Sequence, residues 1–283
     1  MEKNCSIIIP AYNEESGINP VIDGIRKVMD SSGWKYELIV VDDGSTDSTA
    51  EKAEKKQVKL IRHERNRGYG ASLKTGIVNA IYENILITDA DGTYPPEYIT
   101  GILKEEGYAM VVGARKAYQV SITRRPVKYL MNRFASYLSG VKIPDLNSGL
   151  RLFKKEIAEK YISYMPDGFS FTSNITLVML CNNYPVKYIQ IDYYKREGKS
   201  KFHPIKDTFN LGSFIVRTTL YFNPLKIFFP ASVLMMLLSF FVLFYSYMVL
   251  KDVMEITVIM LFISSIQVLA IGLLADLINK KTR

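Results

Sequence analysis

Two apolar runs near the carboxyl end constrain this chain more than anything else in it. Ile227 to Leu250 and Ile256 to Ala275 hold 24 and 20 residues without a charge, parted only by Lys251-Asp252-Val253-Met254-Glu255. At about 1.5 Å per residue, helices of these lengths cover roughly 36 and 30 Å, against a bilayer hydrocarbon core of about 30 Å. A membrane-spanning helical hairpin is the expectation, and a hairpin buried inside a soluble protein is its rival. Arg217 and Lys226 precede the first run, Lys280, Lys281 and Arg283 follow the second, and the connection carries one base against two acids. By the positive-inside rule, this bias puts the large amino-terminal part and the carboxyl terminus in the cytoplasm.

Upstream, the chain alternates between short apolar runs and helical stretches. Met1-Glu2-Lys3-Asn4 leads straight into Cys5-Ser6-Ile7-Ile8-Ile9, which is too short for the apolar region of a signal peptide and reads as a first strand. A helix to about Met29 follows, then the run Leu38-Ile39-Val40-Val41. Ser45 or Thr46 is placed to cap a polar helix ending near Lys56, and Val58-Lys59-Leu60-Ile61 reads as the next strand. Arg67-Gly68-Tyr69-Gly70 turns into a further helix, Ile85 to Thr88 is a strand, Pro95-Pro96-Glu97 opens a helix, and Met110-Val111-Val112-Gly113 is a strand. This alternation predicts an α/β fold, a parallel sheet with helices on both faces. Cys5 and Cys181 lie in apolar surroundings without a C-x-x-C spacing, as core thiols of a reducing compartment would.

Three polar clusters follow directly on the ends of predicted strands: Pro10-Ala11-Tyr12-Asn13-Glu14, Asp42-Asp43-Gly44-Ser45-Thr46-Asp47 and Asp89-Ala90-Asp91. A buried parallel strand has its functional outlet at its carboxyl end, where open α/β sheets bind ligands. If those strands are neighbours, the clusters share one cleft. Asp42 is placed to accept hydrogen bonds from a base or ribose. Asp89 and Asp91 repel each other unless a cation lies between them, and their hard oxygens beside a diphosphate suit Mg²⁺ or Mn²⁺. A lone D-x-D is also what a solvated acidic turn looks like, so context decides. No G-x-G-x-x-G follows the first strand and no P-loop is present, which leaves a metal at Asp91 to hold phosphates. Lys and Arg outnumber Asp and Glu by 36 to 28, which fits an anionic partner.

These segments resemble GT-A-fold glycosyltransferases of the inverting family 2. Downstream, Asp145-Leu146-Asn147-Ser148-Gly149-Leu150-Arg151-Leu152-Phe153 and Lys195-Arg196-Glu197-Gly198-Lys199-Ser200-Lys201 resemble segments of dolichyl-phosphate mannose synthases and bacterial polyprenyl-phosphate glycosyltransferases. The likeness covers about residues 5 to 202, and the hairpin resembles the membrane anchor of prokaryotic members. It implies that Pro10, Ala11, Tyr12, Glu14 and Asp42 hold the nucleoside, and that Asp89, Ala90 and Asp91 hold the diphosphate through a cation bound by Asp89 and Asp91. It assigns Arg115 and Arg125 to the acceptor phosphate and Arg196 to a bridge between donor and acceptor phosphates. Asp91, Arg115, Arg125 and Arg196 are thus the expected catalytic set. The chain departs from some relatives at Thr93, where mannose synthases carry Gln, and at Tyr129, where others carry Ser.

A lipid monophosphate is already an anion at neutral pH, so the site needs cations more than a general base. Arginines orient phosphate by fork-like hydrogen bonds. Arg133 and Arg151 join the candidates, with an ordinary surface arginine as the alternative for each. Residues 123–134 interleave bases with Leu, Met, Phe and Tyr, as a helix lying on a membrane does, and 204–224 are similar; an amphipathic core helix is the rival. The expected organisation is a glycosyltransferase domain at 1–202, a juxtamembrane segment at 203–224, a hairpin at 225–279 and a basic tail at 280–283. The expected partners are a nucleotide-diphosphate sugar, polyprenyl phosphate and the bilayer, with no nucleic acid, and the hairpin offers a surface for self-association. The rival functions are a processive polysaccharide synthase, whose Q-x-x-R-W segment is absent because the sole Trp is Trp34, and a catalytically silent membrane partner that binds nucleotide sugar.

Overall fold

The computed structural model describes residues 3–116, 125–168, 170–194 and 223–281, with Ser213, Val216, Thr219 and Leu220 between the last two stretches. Contacts divide the chain into two compact units, Met1–Phe214 and Ile215–Arg283.

In the first unit the apolar runs become strands β1 (Asn4–Ala11), β2 (Lys35–Asp42), β3 (Lys59–Arg62), β4 (Asn84–Ile87) and β5 (Met110–Arg115). Between them lie α1 (Ile18–Asp30), α2 (Thr49–Glu54), α3 (Tyr69–Asn79) and α4 (Glu97–Leu103). The first helix shows why the sequence folds this way. Ile18, Val21, Ile22, Ile25 and Met29 recur at helical spacing and are buried as one stripe, packing with Ile7, Ile9 and Val40 of the sheet in the hydrophobic core.

The chain continues through α5 (Arg125–Ser139), β6 (Arg151–Lys154), α6 (Lys155–Tyr161), α7 (Phe171–Cys181) and β7 (Val186–Ile191). The seven strands form one sheet in the order β3-β2-β1-β4-β6-β5-β7. The expected parallel sheet is corrected here: β6 pairs antiparallel with both β4 and β5, while the remaining pairs are parallel. The reversal matters for the site. An antiparallel strand enters the sheet at the edge where its neighbours leave it, so the segment leading into β6 arrives at the carboxyl ends of β4 and β5.

The capping role expected of Ser45 or Thr46 also changes. Ser48 is the residue before α2, and the Asp47 carboxylate accepts from the Thr49 backbone N–H at 2.9 Å. Ser45 and Thr46 instead fasten the β1 turn: Ser45 Oγ accepts the Asn13 N–H at 2.9 Å, and the Thr46 N–H donates to Asn13 Oδ1 at 2.8 Å. Both cysteines are free and buried, and burial pushes the Cys5 thiol up to about 12.

In the second unit, α8 (Leu225–Tyr245) runs into a π turn at Ser246–Leu250, and α9 (Glu255–Lys281) returns. The apolar stretches Leu225–Leu250 and Glu255–Asn279 each have a mean hydropathy of 2.5 and are only 11% buried, the opposite of a core hairpin in a soluble protein. Small residues bring the helices together. Ser239 Oγ donates to the Val258 carbonyl at 2.9 Å, and a Cβ on Gly272 would lie 2.5 Å from Phe228 Cβ. Of the amphipathic stretches, α5 carries exposed Tyr129, Arg133 and Tyr137 around buried Ala135. Residues 117–124 and most of 204–222 lie outside the described residues.

Candidate active site at the carboxyl edge of the sheet

Because β2, β1 and β4 are adjacent and parallel, their carboxyl ends put Asp42, Pro10 to Glu14, and Asp89 to Asp91 side by side. Ala11 is in register with Asp42, and Ile8 with Ile87, so the polar turns begin at the same level. Besides the Asn13 bonds to Ser45 and Thr46, the β1 turn is tied to the start of α2, where Thr49 Oγ1 accepts the Glu14 N–H at 2.8 Å.

The two acids after β2 divide their tasks. Asp42 is fully buried; Arg62 Nε lies 3.2 Å from its Oδ2, and the Ser45 N–H donates to it at 3.3 Å. Arg62 itself is 59% exposed while the Asp42 side chain is 0% exposed, so the guanidinium is the more accessible half of the pair. Asp43 faces the other way. It accepts from the Arg67 and Gly68 N–H groups at 2.9 and 2.8 Å and is 2.7 Å from His63 Nδ1, whose Nε2 meets Thr75 Oγ1 at 3.0 Å. It therefore anchors the turn that opens α3.

That turn delivers Tyr69, which the sequence reading did not single out. Its hydroxyl donates to Asp89 Oδ1 at 3.0 Å. Burial, reinforced by the Asp89 charge, holds the Tyr69 phenol well above its ordinary range, so it stays a neutral donor. Asp91 is oriented by its own turn. Its Oδ1 accepts from the Thr93 N–H at 3.1 Å and from Thr93 Oγ1 at 2.7 Å, with Gly92 at φ +71°, where a side chain would be strained. Thr93, noted as a departure from relatives, is thus the residue that orients Asp91. Two carboxylates set on alternate residues by neutral hydroxyl and amide donors are hard oxygen ligands of the kind that Mg²⁺ and Mn²⁺ take. Among the described residues no group of three or more His, Cys, Asp or Glu could hold a metal alone, so a ion here would draw further oxygens from a ligand such as a diphosphate.

The segment feeding β6 lies against these acids. Gly149 packs so closely on Asp89 that a Cβ there would stand 2.6 to 2.8 Å from the carboxylate atoms. Its N–H donates to the Tyr94 hydroxyl at 2.6 Å, and the Tyr94 ring meets Tyr193 edge-on with centroids 5.2 Å apart. Arg115, at the end of β5, stacks over the same Tyr193 ring at 5.2 Å. Its Nε and Nη2 donate to Asp145 at 2.7 and 3.0 Å, and its backbone N–H donates there too. Burial is the largest single influence on Arg115 and would discourage its charge, but the Asp145 charge and hydrogen bonds, with Tyr94 and Tyr193 beside them, together outweigh it and hold the guanidinium well above its ordinary value.

Arg115 is therefore a pinned cation whose Nη1 makes no hydrogen bond among the described residues. Replacing Asp145 by Asn should unpin it. The expected result for Asp145→Asn is an acceptor KM raised roughly tenfold or more with nucleotide binding unchanged, measured by varying each substrate in turn. An equal loss on both sides would mean that Asp145 only supports the fold.

Arg151 overturns both readings offered for it. It is fully buried, donating through Nε to the Ser148 carbonyl at 3.0 Å, through Nη1 to the Thr172 carbonyl at 2.7 Å and Thr176 Oγ1 at 2.6 Å, and through Nη2 to the Leu146 carbonyl at 3.3 Å. It is neither a surface residue nor a phosphate ligand but a clasp between the β6 approach and α7, and burial lowers its pKa. Arg133 is exposed. Arg196 and the side chain of Arg125 lie outside the described residues, as does the segment Lys195 to Lys201.

Known proteins share this architecture. The family described as Glycosyl transferase family 2 matches residues 6–162, and the one described as GtrB C-terminal hairpin matches residues 223–280. The chain is 34% identical over 222 residues to an uncharacterized protein of Methanocaldococcus jannaschii, covering 72% of this chain and 89% of that one. It is 29% identical over 220 residues to the dolichyl-phosphate hexose transferase of Haloferax volcanii, covering 76% and 93%. With the dolichyl-phosphate beta-glucosyltransferase of Dictyostelium discoideum, identity is 27% over 238 residues, covering 75% and 72%. Among solved structures, glucosyl-3-phosphoglycerate synthase from Mycobacterium tuberculosis, in complex with Mn²⁺, uridine-diphosphate and phosphoglyceric acid, superposes with a TM-score of 0.63 over 77% of this chain and 78% of that one. Identity there is 18%, so this likeness speaks to the fold.

Proposed function

Since the chain belongs to glycosyl transferase family 2, we propose that it moves a single sugar from a nucleotide-diphosphate sugar to a polyprenyl monophosphate. The fold is GT-A, and its two long apolar helices with the hairpin match make it a membrane protein. The observation that carries the reading is the convergence of three strand-end turns on one edge of the sheet, with Arg115 two strands beyond Asp89 on that edge.

In this reading the Pro10 to Glu14 turn, together with Asp42 and Arg62, receives the nucleoside. Asp89 and Asp91 would hold a divalent ion, which supplies charge neutralisation for the departing diphosphate. Arg115, with Arg125 and Arg196, receives the acceptor phosphate and offsets its repulsion from the donor. A phosphate oxygen attacks the anomeric carbon as the bond from that carbon to the nucleotide oxygen breaks. The nucleoside diphosphate leaves with the electron pair, and no proton has to be removed from the nucleophile. In-line attack inverts the anomeric centre, so an α-linked donor gives a β-linked lipid product. The basic residues flanking the spans favour catalysis on the cytoplasmic side.

The test is transfer by purified protein in nanodiscs, with a panel of labelled uridine and guanosine sugars and with polyprenyl phosphate or a neutral polyprenol as acceptor. The expected product is one sugar per lipid phosphate, formed only with divalent metal. Transfer to the neutral alcohol, or to a growing polysaccharide, would contradict the reading.

A further inference from the structure

The chain beyond β7 crosses the carboxyl edge of the sheet. β4 lies three strands away from β7, yet three residues after β7 ends the chain is bonded to the β4 turn. Ile191, the last residue of β7, is in register with Arg115, and its carbonyl accepts the Lys116 N–H at 3.3 Å. Asp192 then accepts from Lys116 Nζ and from the Tyr98 hydroxyl of α4, both at 2.7 Å. The Tyr194 N–H donates to the Thr93 carbonyl at 2.9 Å, and Thr93 is the residue whose own N–H and hydroxyl orient Asp91. Asp192-Tyr193-Tyr194 is thus a strap, held at one end beside Arg115 and at the other by the turn that carries Asp89 and Asp91.

Tyr193 occupies the middle of the strap, and its ring touches both sides. The Arg115 guanidinium lies 5.2 Å from the ring centroid, and the Tyr94 ring meets it edge-on at 5.2 Å. Behind that contact the Tyr94 hydroxyl accepts the Gly149 N–H, and Gly149 packs on the Asp89 carboxylate. The two halves of the site therefore meet through one aromatic ring. Such a ring has few rotamers, attracts a guanidinium to its face and offers a second ring its edge, so it sets distance as well as direction. Distance is what the reaction demands. Two anionic groups must be brought into line against their mutual repulsion, and a misplacement of about 1 Å costs roughly 100-fold in rate.

We propose that Tyr193 is a positioning residue whose ring sets the spacing between the Asp89 to Asp91 turn and the Arg115 guanidinium, and so holds donor and acceptor phosphates at reacting distance. The proposal rests on the reading of the cleft given above and deepens it. Without the ring, Arg115 keeps its bonds to Asp145 and Asp91 keeps those to Thr93, so each substrate still binds. What is lost is their alignment, and the loss falls on turnover.

The experiment measures kcat and both KM values of the full-length protein in nanodiscs, with polyprenyl phosphate and the nucleotide sugar that native protein accepts. Calorimetry with Mn²⁺ and the matching nucleoside diphosphate reads the donor side without turnover. Tyr193→Leu should lower kcat roughly tenfold or more, with both KM values and the calorimetric affinity within about threefold of native. Tyr193→Phe, which keeps the ring, should restore most of the turnover. Asp192→Ala frees the strap from Lys116 and Tyr98 at a partly exposed position, and should lower kcat in the same direction and by less. Native kcat in Tyr193→Leu overturns the proposal, and so does a Tyr193→Phe variant as slow as Tyr193→Leu. A lowered melting temperature with equal losses of kcat and donor affinity marks a merely structural role and overturns it too. Should Tyr193→Leu fail to fold, Asp192→Ala decides: native kcat there overturns the proposal, and a reduced kcat with unchanged KM values supports it. Native protein that transfers no sugar to polyprenyl phosphate removes the cleft reading, and this proposal with it.

Discussion

Asp91→Asn is expected to lower sugar transfer by roughly 10³-fold or more while leaving the fold and its melting temperature close to native. The substitution keeps size and shape and removes one negative charge. Within the protein Asp91 Oδ1 accepts from the Thr93 N–H and hydroxyl, and an amide oxygen can do the same. A divalent ion cannot be served equally well by a neutral amide beside a single remaining carboxylate, so the loss should fall on metal and diphosphate binding. Transfer assays over a series of Mn²⁺ concentrations check this. Retained activity at native metal concentrations would remove Asp91 from the ion site.

Gly149→Ala should cost about 100-fold in activity or metal affinity with only a small change in stability. A methyl group there would stand 2.6 and 2.7 Å from the two Asp89 carboxylate oxygens, too close to coexist. The obstacle is the end of a short side chain and not backbone, so Asp89 can rotate away and the fold survives. What is lost is the Asp89 position that the Tyr69 hydroxyl selects. Tyr69→Phe, lacking that hydroxyl, should move metal affinity in the same direction and by less. Calorimetric titration with Mn²⁺ and nucleoside diphosphate separates the expected outcome from simple unfolding, which would lower the melting temperature first.

Much of the sheet was legible because buried parallel strands announce themselves. The runs ending at Ile9, Val41, Ile61, Ile87 and Val112 are apolar and punctuated by polar turns, and each became a strand. β6 was not legible. Arg151-Leu152-Phe153-Lys154 is four residues long with a charge at each end, and its direction is set by pairing with β4 and β5, which no local pattern encodes. For the same reason Arg151 was misread. An arginine in a polar motif looks like a phosphate ligand until the carbonyls of Leu146, Ser148 and Thr172 are seen to surround it.

The three acidic turns could be foreseen as neighbours once the strands were taken as parallel. The supporting residues could not. Tyr69 reaches Asp89 only because Asp43 anchors the turn before it, and Tyr94 meets Gly149 across 55 residues of sequence. Two small signals were present: Tyr69 sits between Gly68 and Gly70, and Gly149 follows a D-x-x-S pattern. Both glycines beside Tyr69 pack against the Pro166 to Gly168 backbone, a close approach that only the tertiary structure reveals.

The most direct measurement is an anomalous-scattering map of the protein soaked with Mn²⁺ and a nucleoside diphosphate. One peak bonded to the Asp91 carboxylate, within reach of Asp89 and of the diphosphate, is the expected result. A metal bound elsewhere, or a diphosphate seated away from the β4 turn with no metal beside it, would contradict the central claim that these two carboxylates hold the donor.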